Sequence, residues 1–330
     1  MRRTIMLATL LCCAISPTAH AQIKTLEIYV GTSVGAGYDT YARLLSRSIG
    51  QHRPGSPAVV VKNMAGAGGM TLATWLDRVA AKDGSVIGTF GRGIAFERLL
   101  NPAKTFPDGR SFNWIGSMND EVSVCVAMSS SNIKTFEDLQ RQPLTVGASG
   151  AGGDTFIFPT VLNGVLGTQL KIINGYPGGN EISLAMERGE VAGRCGWSWS
   201  SLQALHGDLV SNGKMRVLVQ LGLTKHPDLP NVPLAQDFAK TEDQRSALEL
   251  IFARQAMAWP YAAPPGTPKA RVDELRKAFA SATADPELLA AAQKSGLEVR
   301  PVSGANVEKI VDKAYRTPAP LVKLASELLQ

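Results

Sequence analysis

Two glycine-rich stretches of this 330-residue chain carry the residue types that hold a small anion. The first, Gly31-Thr32-Ser33-Val34-Gly35-Ala36-Gly37-Tyr38-Asp39, follows a strand-like run ending at Val30. The second, Ser149-Gly150-Ala151-Gly152-Gly153-Asp154-Thr155, follows another such run ending at Ala148. Each turn opens an amphipathic helix. Glycines let backbone amides approach a ligand, and a helix N-terminus favours negative charge. Two such loops point to two lobes gripping one anion; the alternative is a pair of ordinary strand–helix turns.

Other side chains could complete that site. Arg92, between Gly91 and Gly93, either reaches the anion or is a solvated loop arginine. Arg194 either holds a second carboxylate or oxyanion or makes a structural pair. Asp39 and Asp154 either touch ligand or cap their helices, and Asp39 is also spaced to pair with Arg43. Trp197 and Trp199 alternate in direction if their strand continues, which puts one toward the cleft and the other toward the core. A serine hydrolase is the strongest enzymatic alternative, because Gly147-Ala148-Ser149-Gly150-Ala151 approaches a nucleophile elbow. It lacks the final glycine, and His52, His206 and His226 sit in no recognisable acid–base context. A nucleotide-binding enzyme fits less well, since no Lys-Ser/Thr follows the first loop.

The elements that must position these residues alternate strand and helix. Strands are expected at Leu26–Val30, Ala58–Val61, Ser85–Phe90, Val122–Met128, Leu144–Ala148, Lys171–Asn174, Val191–Cys195 and Met215–Leu221. Tyr41, Leu44, Leu45, Ser48 and Ile49 form a helical stripe with Arg43 and Arg47 opposite. Helices are also expected from Met70 to Ala81, Thr135 to Arg141, after Asp154 or Thr155 as cap, from Glu181 to Arg188, and over much of the chain beyond Lys269. Repeated βα units imply α/β architecture, with ligands beyond the carboxyl ends of the strands. Five glycine-rich turns fall at those ends, at 31–39, 63–69, 91–93, 149–154 and 175–179.

Composition narrows the class. Met1-Arg2-Arg3, the apolar run Thr4–Ser16 and Ala19-His20-Ala21 read as an export signal cleaved after about Ala21. The mature chain then has a mild positive charge, too small for nucleic-acid binding, and a length suited to two domains. Of its cysteines, Cys125 and Cys195 lie in apolar strand-like segments; buried thiols are expected, with a bridge as the alternative. No metal or cofactor motif is present.

In order and spacing, these motifs resemble the solute receptors of tripartite tricarboxylate transporters, the Bug-type receptors. The resemblance rests on Gly35-Ala36-Gly37-Tyr38-Asp39-x-x-Ala42-Arg43, Val61-Lys62-Asn63-Met64-Ala65-Gly66-Ala67-Gly68-Gly69, Gly147-Ala148-Ser149-Gly150-Ala151-Gly152, Tyr176-Pro177-Gly178-Gly179, Gly189-Glu190-Val191 and Ala263-Pro264-Pro265-Gly266-Thr267-Pro268. It implies a two-lobed periplasmic binding protein of type II-like fold, with two parallel-rich sheets flanked by helices and a hinge of crossover strands. The domains would be residues 22–124 with 222–330, and 125–221. The implied protein is a monomer, carries no cofactor, binds no nucleic acid, and delivers a small organic carboxylate to membrane permease subunits. A sensory role beside a membrane signalling protein is the alternative. The candidate ligand-binding residues are Thr32, Ser33, Gly35, Gly37, Tyr38, Asp39, Gly68, Arg92, Ser149, Gly150, Gly152, Gly153, Asp154, Thr155, Phe156, Tyr176, Arg194 and Trp197. The chain departs from the family's pattern at Phe156, Pro177 and Gly196, where His, Lys and Asp are common, and at Thr32 and Ser33. These exchanges predict a ligand with one carboxylate and an apolar or aromatic body resting on Trp197 or Phe156.

Overall fold

The structure is a computed structural model that describes residues 23–150 and 153–327. The expected leader and Gly152 lie outside the described residues. The strands are β1 (Thr25–Val30), β2 (Ala58–Asn63), β3 (Val86–Thr89), β4 (Asn113–Ser117), β5 (Ser123–Met128), β6 (Leu144–Ala148), β7 (Leu170–Asn174), β8 (Gly193–Ser198), β9 (Met215–Leu221), β10 (Pro260–Ala263) and β11 (Val302–Ser303). The helices are α1 (Gly37–Ser46), α2 (Met70–Arg78), α3 (Ile94–Leu100), α4 (Phe136–Arg141), α5 (Asp154–Leu166), α6 (Gly179–Glu187), α7 (Trp199–Ser211), α8 (Glu242–Phe252), α9 (Lys269–Thr283), α10 (Pro286–Lys294), α11 (Gly304–Tyr315) and α12 (Ala319–Glu327). Among the described residues no helix is long and apolar enough to cross a membrane.

The strands form two mixed sheets, in the orders β11-β4-β10-β3-β1-β2 and β7-β6-β8-β5-β9. In the first, β2, β1 and β3 are parallel, and β10, β4 and β11 add antiparallel. In the second, β7, β6 and β8 are parallel, while β5 pairs antiparallel with both β8 and β9. The chain passes from the first sheet to the second between β4 and β5, and returns after β9. β1 alternates as a half-buried strand should, with Leu26, Ile28 and Val30 fully buried. The predicted stripe packs inward, burying Tyr41, Leu44 and Leu45 on α1 and Ser48 and Ile49 in the turn just beyond it, while Arg43 stays half exposed.

Several elements differ from the expected pattern. Neither β4 nor β10 has a clear alternating pattern, and β10 (Pro-Tyr-Ala-Ala) has weak strand propensity. It forms because it fills the space between β3 and β4, pairing with both. Gly153, rather than Asp154 or Thr155, is the N-cap of α5, and no side chain caps that end. The cysteines expected as thiols form a disulfide, Cys125–Cys195. The register explains it: Val124 faces Trp197 and Val126 faces Arg194 across a bulge, so the two cysteines meet between them. That register is a tertiary property that the spacing of the cysteines does not carry.

Candidate functional site

All five glycine-rich turns converge where the carboxyl ends of the parallel strands of the two sheets face each other. They enclose a cavity of about 80 Å³, space on the order of a few water molecules. The two sides touch around it. Ser33 Oγ donates to Glu181 Oε2 at 3.0 Å, and Asn180 Nδ2 donates to the Val34 carbonyl at 3.0 Å. Gly150 lies so near the Ala67–Gly68 peptide that a Cβ there would stand 2.9 Å from its atoms. The arrangement is closed.

Arg92 forms the centre of the site. It is 2% exposed, so the solvated-loop alternative does not hold. Its Nε donates to Asp154 Oδ2 at 2.6 Å, and its Nη2 donates to Ser123 Oγ and Ser198 Oγ at 2.8 and 3.1 Å. Its backbone N–H donates to the Tyr38 hydroxyl at 2.9 Å. Its Nη1 is buried without a hydrogen-bond partner. Arg254, just before β10, is fully buried between Phe96 and Phe158, with Nη1 3.6 Å from Asp154 Oδ1. Asp154 therefore serves two buried arginines instead of capping its helix.

The nearby acids do not balance this charge. Burial raises the pKa of Glu97, against the pull of Arg254 and Asn101. Burial likewise pushes Glu121 up to about 7, opposed by its hydrogen bond from Ser200 and by Arg92. Burial thus works against the charged form of both acids, and Arg194 on the opposite wall has no carboxylate partner among the described residues. The cleft is electropositive. Desolvation pushes Tyr38 up to about 12, so it remains a phenol.

Of the predicted residues, Thr32, Gly37, Tyr38, Gly68, Arg92, Ser149, Gly153, Asp154, Thr155, Arg194 and Trp197 line the cavity. Ser149 gives its backbone N–H to Thr155 Oγ1 at 3.0 Å, and its own hydroxyl pairs with that same oxygen at 3.1 Å. Its partner is a hydroxyl, and no histidine among the described residues is in place to act as base. Ser33 sits at the rim on Glu181. The cavity wall excludes Gly35, Asp39, Gly150, Phe156 and Tyr176. Asp39 is fully buried beneath the first loop, accepting from Gly35 N at 2.7 Å, Arg43 Nε at 2.8 Å and Asn63 Nδ2 at 2.9 Å. Burial acts to raise its pKa, but those donors outweigh it and the net shift is downward. Gly150 and Tyr176 border a separate groove at the mouth.

The expected aromatic platform is also placed differently. Trp197 is 1% exposed; the Arg194 guanidinium covers it at 4.2 Å and His206 meets it edge-on. Trp199 lies off the cavity, donating to Asp228. The apolar wall comes instead from Trp259, which stacks on Tyr41 and packs against Tyr38 at 4.7 Å. Trp259, Ser198, Ser201, Gly196 and Arg254 were not foreseen as site residues. Only Gly196 gave a signal, as a glycine interrupting a strand: its φ is +69°, and a Cβ would strike the Asp154 carbonyl.

Residues 42–325 match the sequence model of the tripartite tricarboxylate transporter family receptor, TctC. The chain belongs to this family. A curated relative, the UPF0065 protein in the tcbD-tcbE intergenic region of Pseudomonas sp. (strain P51), is 25% identical over 275 residues, covering 80% of this chain and 75% of that protein. The fold is that of the periplasmic binding protein BugD, at a TM-score of 0.73 and 22% identity, covering 92% of this chain and 97% of BugD. MatC from Rhodopseudomonas palustris with bound malate superposes at 0.69 and 19% identity, over 93% and 99% of the two chains. An R. palustris protein solved with adipate superposes at 0.72 and 18% identity, over 91% and 97%. The TctC-family chain is thus a two-lobed solute receptor and not an enzyme.

Proposed function

We propose that this TctC-family receptor works in the periplasm, captures a small organic carboxylate between its lobes, and delivers it to the membrane subunits of a tripartite transporter. The lobes are residues 22–124 with 222–330, and 125–221, hinged where the chain crosses between the sheets. The observation that carries the ligand class is Arg92 Nη1, a buried donor with no hydrogen-bond partner, in a cleft where two arginines share the single carboxylate of Asp154. A buried unsatisfied charged donor is costly, and an incoming carboxylate satisfies it. Thr32, Gly37, Gly68, Ser149, Gly153 and Thr155 surround the same space and would complete the cradle. The malate and adipate held by two structural neighbours belong to this chemical class. The closed form would be the one the permease recognises, and ligand would favour it by differential binding.

The test is thermal unfolding of the mature, ligand-stripped protein against mono-, di- and tricarboxylates, aromatic acids included. A binder of the folded state raises the midpoint by mass action. A rise with one chemical class is expected. No rise with any of them would overturn the carboxylate reading.

A further inference from the structure

A buried histidine stands between two carboxylates outside the ligand cavity, beside the places where the chain crosses between the sheets. His226 lies on the segment returning from β9 and is 5% exposed. Its Nε2 is buried without a hydrogen-bond partner, 3.4 Å from Glu298 Oε1, and Glu298 Oε2 is likewise buried without one. Its Nδ1 stands 3.7 Å from Asp228 Oδ2 and accepts the Asp228 backbone N–H at 3.2 Å. One ring nitrogen and one oxygen from each acid all lie within 4.8 Å of one another. None of the three residues lines the cavity. Glu298 comes from the loop between α10 and β11, far along the chain, so no local motif marks the group.

The two sides of this group are anchored on different sheets. The His226 segment is fixed to β9 by Gln220, whose Oε1 accepts the His226 N–H at 2.7 Å and whose Nε2 donates to the Leu229 and Val232 carbonyls. Trp199, at the start of α7, donates to Asp228 Oδ2 at 3.4 Å. Glu298 is fixed to the first sheet's layer, its carbonyl accepting from the Tyr41 hydroxyl at 3.0 Å, and Arg300 gives its backbone N–H to the Met118 carbonyl at 3.1 Å.

The surrounding charge favours a cation. Arg300 is half exposed and reaches Glu298 Oε2 at 3.3 Å, but its Nε lies on Asp120 Oδ1 at 3.0 Å and Asn119 Oδ1 at 3.1 Å. In these ion pairs Asp120 and Glu298 share one guanidinium, and Asp228 adds a further negative charge beside the imidazole. An imidazole nitrogen with carboxylate oxygens is the donor set of Zn²⁺ and its first-row neighbours, whereas Ca²⁺ calls for a cage of oxygens alone. An ion would take the Nε2 lone pair and leave the ring proton on Nδ1. The Asp228 carboxylate, in place of the Asp228 N–H, would then partner Nδ1, the arrangement that orients a ligating imidazole. Asp228 is largely exposed, which leaves an approach from solvent.

We propose that His226 Nε2 and the Glu298 carboxylate bind a divalent transition-metal ion of the Zn²⁺ type, with Asp228 orienting the imidazole and water completing the shell. The ion would clasp the segment held by the second sheet to the segment held by the first, and so brace the crossing between them. The inference is independent of the carboxylate-receptor reading.

The test is calorimetric titration of zinc chloride, and separately calcium chloride, into tag-free mature protein stripped of metal and carboxylate. Zn²⁺ should bind at one equivalent and Ca²⁺ should not. Glu298→Gln and Asp228→Asn, shown to be folded by circular dichroism, should each weaken Zn²⁺ binding about 10- to 100-fold. The His52–Asp285 pair is the rival site, so His52→Ala should leave this binding unchanged. Independently of any variant, nuclear magnetic resonance of the imidazole nitrogens in wild type should show one ring going over to the Nδ1–H tautomer as Zn²⁺ is added. Absence of Zn²⁺ binding, unchanged ring spectra, affinity that both carboxylate variants retain, or binding lost with His52→Ala would each overturn the site. None of these results bears on the carboxylate reading, because no carboxylate solute is in the titration.

Discussion

Asp154→Asn should open the receptor. The Asp154 carboxylate lies 2.6 Å from Arg92 Nε and 3.6 Å from Arg254 Nη1, with side-chain exposures of 10% for the aspartate, 2% for Arg92 and 0% for Arg254. At such burial solvent screens the interaction little. Breaking a buried pair by removing one partner costs about 3–5 kcal/mol, because the remaining charge is stranded. Asparagine keeps one acceptor for Arg92 Nε, so the lower end, about 3 kcal/mol, applies. Asp154 is carried by α5 on the second sheet, whereas Arg92 follows β3 and Arg254 precedes β10 in the first. The contact therefore spans the cleft. In an open form Arg92 regains water, so much of the penalty falls on the closed form alone. About 3 kcal/mol corresponds to roughly a 100-fold fall in the closed-to-open ratio. Small-angle X-ray scattering of the ligand-stripped proteins should show a larger radius of gyration for the variant. A profile superposable on wild type, with an unchanged unfolding midpoint, would refute the reasoning. The same profile with a much lower midpoint would show that Asp154 stabilises the fold and not closure.

Gly150→Ala tests closure sterically. Its Cβ would stand 2.9 Å from backbone atoms of Ala67 and Gly68 on the opposing lobe, at a φ of +137°. Overpacking of about 1–3 kcal/mol should weaken carboxylate binding roughly 5- to 150-fold in titration calorimetry; an unchanged affinity would mean the loops do not meet this closely. Glu121 should make stability depend on pH. Its carboxyl, buried beside Ser200, Arg92 and Tyr41, is pushed from its ordinary 4.5 up to about 7 when folded. Between those values the folded state holds more protons than the unfolded, so this contribution is fully present below 4.5 and is lost as pH rises through about 7. The slope is at most about 1.4 kcal/mol per pH unit. Urea unfolding across that window should show the decline in wild type and a flatter profile in Glu121→Gln; identical profiles would exclude Glu121 as its source.

Much of the cavity lining was legible because its frame is local. A glycine-rich turn between a strand and a helix is written in consecutive residues, and all five such turns reach the cavity. The stripe on α1 and the Asp39–Arg43 pair follow from helical spacing alone. Phe156 and Tyr176 do not line the cavity, for the converse reason. Both adjoin cleft-lining loops, but which way a side chain turns at a helix start or loop depends on packing against the other lobe. Trp259 and Arg254 enter from the returning segment before β10, far in sequence from the loops they support.

The sequence alone determined the family, the alternation of strand and helix, and a cleft edged by glycine turns, because these depend on short-range geometry and the order of motifs. Tertiary structure decided which charges share that cleft. It brought Arg92 and Arg254 onto Asp154, joined Cys125 to Cys195, laid Arg194 over Trp197 and put Trp259 on the wall. Each of these depends on strand register or lobe closure, which no local pattern encodes, and together they set the electrostatics by which the receptor can choose its ligand.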